Sequence, residues 1–182
     1  RIIQLIDQAN TKGILCFFAT GNESSKRISF PASHAIAVGA VDYDRNLASF
    51  SNTGPGVDIS GYGVSVMATD TQGLRRPFSG TSAATPCVAA VSAVALALGY
   101  TYDDVVKVCF DVSPEGPDDL TGAGVVSTDF INYPPHKDTE EDHAEKAPDT
   151  EKEPLSQPDQ KKSRTQVGIW VLVAAAIIGI IT

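Results

Sequence analysis

The stretch FSGTSAATPCVAAV, residues 78–91, decides how the whole chain is read. Three small residues, Gly80, Thr81 and Ser82, precede Pro86, and residues 87–98 are almost uninterruptedly apolar up to Gly99. That run is too short to cross a bilayer, so it reads as a helix buried on most sides. Pro86 fits its first turn, where a missing N–H does no harm. Ser82 stands at the helix entrance, where it is either a cap or turn residue or a reactive hydroxyl.

Working outward, the preceding segments supply what such a helix packs against. IIQLIDQANTKG carries apolar residues at Ile2, Ile3, Leu5, Ile6 and Ala9, the pattern of an amphipathic helix closed by Gly13. ILCFFAT and AIAVGAV, at 14–20 and 35–41, read as buried strands, and VDIS (57–60) and SVMAT (65–69) as two shorter ones. Beyond the buried helix, Thr101 and Asp104 predict a capping box for a helix over 102–110. Helix, strand and buried helix in this order predict an α/β sandwich with much of its sheet parallel.

Composition narrows the function. The chain has 182 residues and a net charge of -8, with no basic patch interleaved with aromatics, so nucleic acid is not an expected partner. Cys16, Cys87 and Cys109 lack zinc or redox spacing and read as small buried hydrophobes, with one disulfide left open. Three zones follow. Residues 1–133 hold the regular structure. Residues 134–166, with 9 acidic and 6 basic side chains between 136 and 164, read as a flexible linker. The run 167–182, VGIWVLVAAAIIGIIT, is uncharged and reads as a membrane helix, although about 24 Å of helix falls short of a hydrocarbon core of roughly 30 Å. Membrane lipid is therefore an expected partner; the charge rule and the enzyme reading disagree about orientation, and a single-pass membrane protein with its catalytic part extracytoplasmic is preferred.

The chemistry centres on two residues. A helix N-terminus presents unpaired N–H groups and a partial positive charge, so at Ser82 it can stabilise an oxyanion. Asn22, where an apolar strand gives way to the polar loop of FFATGNESS, is a turn residue or a second oxyanion donor; the latter requires it to meet Ser82 in space. No histidine is placed to be the base. His34 enters a strand and reads as a packed side chain, His136 and His143 fall in the linker, and Asp42 and Asp58 lack a histidine partner.

Several stretches together resemble the subtilisin-like serine protease (subtilase) family. GTSAATP at 80–86 is similar to its nucleophile motif, and FFATGNE at 17–23 to the segment bearing its oxyanion-hole asparagine. ISFPASHAIAVGAVD (28–42), LASFSNTGPGVDISGYG (47–63) and DLTGAGVVST (119–128) follow in family order, with Asn22 and Ser82 60 residues apart. The resemblance is read over 1–133, as the C-terminal portion of a catalytic domain, and the layout suggests a membrane-anchored, mycosin-like relative. It implies a subtilisin-like three-layer sandwich incomplete at its N-terminal side. It also implies Ser82 as nucleophile, Asn22 as oxyanion donor, and Thr20, Gly21, Glu23 and Ser29 around the pocket for the substrate's primary side chain. Glu23 at the rim would favour a basic residue there.

By the same resemblance, the triad's His and Asp are expected on an upstream half, so this chain alone is not expected to hydrolyse peptides at a family-like rate. The implied function is a serine endopeptidase acting on protein or peptide through an acyl-enzyme. The alternative is a catalytically inactive, membrane-tethered remnant that binds proteins or peptides. No cofactor is identified; structural calcium is a family trait for which Asp70, Asp118 and Asp119 are ordinary surface candidates. Three departures stand out: Cys87 in place of a histidine, Thr85 in place of a smaller residue, and Gly61-Tyr62-Gly63 without the usual proline, which predicts a looser loop.

Overall fold

The computed structural model describes residues 1–112, 116–132 and 172–174. The chain opens with α1 (Ile2–Asn10), and Ile6 is its buried residue. The helix ends three residues before Gly13, whose positive φ of 72° turns the chain into β1 (Cys16–Ala19). A 3-10 turn at Ala32–His34 leads into β2 (Ile36–Val41), and β3 (Ile59–Tyr62) follows. β1, β2 and β3 form a parallel sheet, with Phe17 opposite Ile36 and Val38 opposite Ile59.

Alternation along the strands sends side chains to two layers. Cys16, Phe18 and Ala37 meet Ile6 of α1 on one face. Phe17, Val38, Ala40 and Ile59 face the other layer, where Ala84, Val88 and Ala89 belong to α2 (Thr81–Ala97). The architecture is thus an α/β fold with a mostly parallel sheet between helices, a partial sandwich as expected.

α2 lies close to the sheet because small residues line its underside. A Cβ on Gly61 would stand 2.8 Å from the Ala84 carbonyl oxygen and 2.9 Å from Val88 Cγ2, so a hydrogen is all that fits there. Burial of a side chain such as Val88, fully enclosed, contributes about 1.5–3 kcal/mol. The helix starts at Thr81, so Pro86 sits inside it rather than in its first turn. Its ring is exposed, and Thr85 Oγ1 donates to the Thr81 carbonyl at 2.8 Å within the same turn. Thr85 is therefore accommodated with its hydroxyl satisfied. Around Gly61 to Gly63, where the sequence predicts a looser loop, β3 runs through Tyr62, whose ring stacks on Tyr43 with centroids 5.7 Å apart.

An antiparallel hairpin of β4 (Val66–Thr69) and β5 (Arg75–Phe78) precedes α2. β5 escapes sequence reading because Arg75, Arg76 and Pro77 carry no strand pattern. Asp70 holds the turn, accepting from the Gln72 and Leu74 N–H groups while its other oxygen pairs with Arg76 Nε at 2.7 Å. α3 (Tyr102–Lys107) has the predicted capping box but stops before 110, where Phe110 bridges to Val125.

Of the expected membrane run, Leu172–Ala174 are described, as a short strand β6 parallel to β1. The linker and the rest of that run lie outside the described residues, and among the described residues no helix is long and apolar enough to cross a membrane.

Candidate active site

Two loops converge on the start of α2. The first leaves β1 at Thr20 and carries Asn22; the second rises from β5 through Ser79 and Gly80. Asn22 Oδ1 accepts from the Thr81 N–H at 2.8 Å and from Thr81 Oγ1 at 3.0 Å. Thr81 Oγ1 in turn accepts from the Gly21 N–H at 3.3 Å. With its oxygen turned to these donors, the Asn22 carboxamide has its Nδ2 on the opposite side.

A Cβ on Gly80 would lie 3.0 Å from Ser82 Oγ, 3.5 Å from Asn22 Nδ2 and 3.7 Å from Asn22 Oδ1, so the hydroxyl and the carboxamide flank one small space over Gly80. Gly80 adopts φ 155° and ψ 161°, a region open essentially to glycine. The Thr81 N–H is taken by Asn22, and the Ala83 N–H by the Gly80 carbonyl at 2.9 Å. The Ser82 N–H between them has no partner among the described residues, as expected for the first turn of a helix without a side-chain cap. A serine hydroxyl and the Asn22 carboxamide therefore border the start of α2, where the Ser82 N–H is also left open.

The other residues singled out by sequence sit beside this opening. Glu23 and Ser29 line an open cavity of about 380 Å³ together with Arg27, Phe30 and Asn52. Gly21 stands between that cavity and Thr81, whereas Thr20 is fully buried. The Thr20 carbonyl accepts from the Ser29 N–H at 2.8 Å and from Asn52 Nδ2 at 3.1 Å.

Sequence reasoning missed Thr81 and Asn52. Thr81 stands inside a motif quoted for its serine, and its hydroxyl gives no local sign of reaching a loop 59 residues away. Asn52 is buried within the quoted stretch LASFSNTGPGVDISGYG, and nothing local marks its side chain as reaching back to residues 20–25.

His34, the one histidine among the described residues, is exposed at the end of its 3-10 turn, 6.0 Å from the Phe30 ring, rather than packed in a strand. Asp42 is held below the usual carboxylate range chiefly by the Asn46 N–H. Asp58 is pushed up by burial and accepts from the Ala37 N–H at 2.7 Å, so both carboxylates are engaged with the backbone. Cys16, Cys87 and Cys109 are all free thiols; Cys87 takes the place of the family's histidine as a half-buried side chain with Sγ 3.4 Å from the Ala83 carbonyl. Asp118 serves a turn through the Leu120 and Thr121 N–H groups. Among the described residues, no group of three or more His, Cys, Asp or Glu side chains could hold a metal ion.

Known proteins resemble this chain in sequence and in fold. A family model described as the subtilase family matches residues 1–108. Alkaline elastase YaB of Bacillus sp. (strain YaB) is 43 % identical over 93 residues, covering 50 % of this chain and 25 % of that protein. Subtilisin Savinase of Lederbergia lenta is 42 % identical over 93 residues, covering 50 % of this chain and 35 % of that protein. The solved structure of the prenylagaramide maturation protease PagA superposes with a TM-score of 0.61 at 25 % identity, over 71 % of this chain and 54 % of that one. The chain thus spans about a quarter to a third of the length of these two curated relatives.

The match corrects the reach of the sequence-based resemblance. It occupies residues 1–108, the N-terminal portion of this chain, in place of 1–133 read as the C-terminal portion of a catalytic domain, and it supports no mycosin-like, membrane-anchored assignment. Past residue 108 the backbone is held by isolated bridges, Phe110 to Val125 and Ser60 to Val125, and by glycine turns.

Proposed function

Because this chain belongs to the subtilase family, we propose that it supplies the nucleophile and the oxyanion donors of a serine-type endopeptidase. Ser82 Oγ attacks the scissile carbonyl, and its proton passes to a histidine base outside the described residues. The carbonyl oxygen, now negative, is held between Asn22 Nδ2 and the Ser82 N–H. Collapse expels the amine, which takes the proton back from the base, and leaves an acyl-enzyme that water hydrolyses. Glu23 and Ser29 border the space for the side chain preceding the cleaved bond, and the Glu23 carboxylate favours a basic one.

The observation that carries this reading is the shared opening over Gly80, flanked by Ser82 Oγ and Asn22 Nδ2. The fold and the protease relatives support hydrolysis as a class; the peptide substrate and the roles of these residues are the proposal. A serine-directed phosphonate added to the full-length protein is expected to label Ser82, located by peptide mass. Ser82→Ala is expected to lose both the label and peptide cleavage, by about a thousandfold or more. Labelling at another serine with Ser82 bare, or peptide binding without any turnover, would overturn it.

A further inference from the structure

Several of the bonds that shape the loop around Asn22 meet at one buried side chain. Asn52, 1 % exposed, accepts at Oδ1 from the Glu23 N–H at 3.0 Å and from the Ser25 N–H at 2.9 Å. Its Nδ2 donates to the Thr20 carbonyl at 3.1 Å and to the Glu23 carboxylate at 2.6 Å. Its own backbone N–H donates to the Gly21 carbonyl at 3.0 Å. Asn52 Nδ2 also lies 3.4 Å from Ser29 Oγ. Two backbone N–H groups aimed at one end of the carboxamide place the oxygen there and the nitrogen at the other end, so the amide cannot be turned over without losing these bonds.

We infer that Asn52 is a positioning residue for the proposed reaction. Resting on the reading of Asn22 and Ser82 given above, its carboxamide fixes the chain on both sides of Asn22, at Thr20 before it and at Glu23 and Ser25 after it, and thereby the direction of Asn22 Nδ2. Asn22 itself is exposed and touches Thr81 only through its oxygen. The placement of its nitrogen therefore depends on the backbone that carries it, and Asn52 grips that backbone at Thr20, Gly21, Glu23 and Ser25. The same side chain draws the Glu23 carboxylate against the cavity wall, which ties the geometry of the oxyanion site to that of the neighbouring pocket.

This arrangement separates binding from turnover. An oxyanion exists only after attack, so a misaimed Asn22 lowers kcat more than it raises KM. In the full-length protease, Asn52→Leu keeps the volume and removes every side-chain bond of Asn52, and it is expected to lower kcat by about tenfold to a hundredfold with KM within about threefold. Asn52→Asp, made together with Glu23→Gln so that two carboxylates do not meet at the 2.6 Å contact, keeps the oxygen facing the N–H groups of residues 23 and 25, and its kcat is expected to lie between those of Glu23→Gln and Asn52→Leu. Amide hydrogen exchange, which needs no turnover, is expected to show the amides of residues 23 and 25 exposed in Asn52→Leu and protected in the Asn52→Asp variant. If Asn52→Leu does not fold, Asn52→Ala removes the same bonds with room for water and takes its place.

The inference fails if the Leu or Ala variant retains wild-type kcat, if the Asp variant restores nothing over it, or if the two amides stay protected without the Asn52 side chain. Each outcome is read beside Ser82→Ala. Loss of cleavage in Ser82→Ala with full activity in the Asn52 variants would remove this inference alone, whereas cleavage surviving Ser82→Ala would remove the reading beneath it.

Discussion

α2 and α3 begin in opposite ways. At α3 the Thr101 hydroxyl accepts from the Asp104 N–H at 3.2 Å, and the Asp104 carboxylate accepts from the Thr101 N–H at 2.8 Å, so the helix closes its own end within four residues. At α2 the residue in the same place is Gly80, which has no side chain to offer. One amide there is answered by Asn22, from a loop far away in sequence, and the Ser82 N–H is left open. A helix that caps itself spends its polar groups on its own stability. A helix capped from elsewhere leaves donors for chemistry and depends on a second loop to stay in place.

The largest test of that contrast is Gly80→Ala. The added methyl would press on Ser82 Oγ at 3.0 Å and force φ 155° on a residue that resists it. Phosphonate labelling of Ser82 is expected to fall by about a hundredfold, and the unfolding free energy by about 2 kcal/mol. Unchanged labelling would mean that the α2 entrance does not need to be bare. Next, Thr101→Ala should cost about 1 kcal/mol in thermal or denaturant unfolding and leave labelling untouched, since a self-contained cap serves its own helix. A loss of labelling there would blur the distinction.

The smallest effect concerns the thiols near these helices. Burial raises the Cys87 thiol, and raises that of Cys109 to about 11, with a hydrogen bond from the Ser127 backbone only partly opposing it. Both are expected to alkylate slowly near pH 8, the rate at Cys109 climbing with pH toward about 11. Because the unfolded thiol ionises first, the stability gained by burying it neutral is present at neutral pH and is lost as the pH rises through that range. Rapid modification of Cys109 at pH 8 would show that the end of α3 is less closed than its start.

The same contrast explains what sequence could and could not disclose. The Thr101–Asp104 box was legible because its partners are three residues apart, and the strands because Phe17, Val38 and Ile59 follow the pattern of a sheet covered on both faces. Ser82 and Asn22 were legible as motif residues, but their convergence depends on the crossover between β1 and α2. Asn52 was invisible because its bonds reach back as far as 32 residues, and no local period marks such a group. Pro86 misled in a more instructive way. The general rule puts proline in the first turn, whereas here the helix begins earlier and turns the ring outward.

Gly61 touches neither the hydroxyl nor the amide, yet it determines how deeply the helix bearing Ser82 is seated. A single extra carbon at that position would act as a shim beneath Ala84, lifting the nucleophile relative to its donors while every reactive group stayed chemically intact. The alignment of this site is thus partly set from below, by a position whose whole contribution is the space it leaves empty.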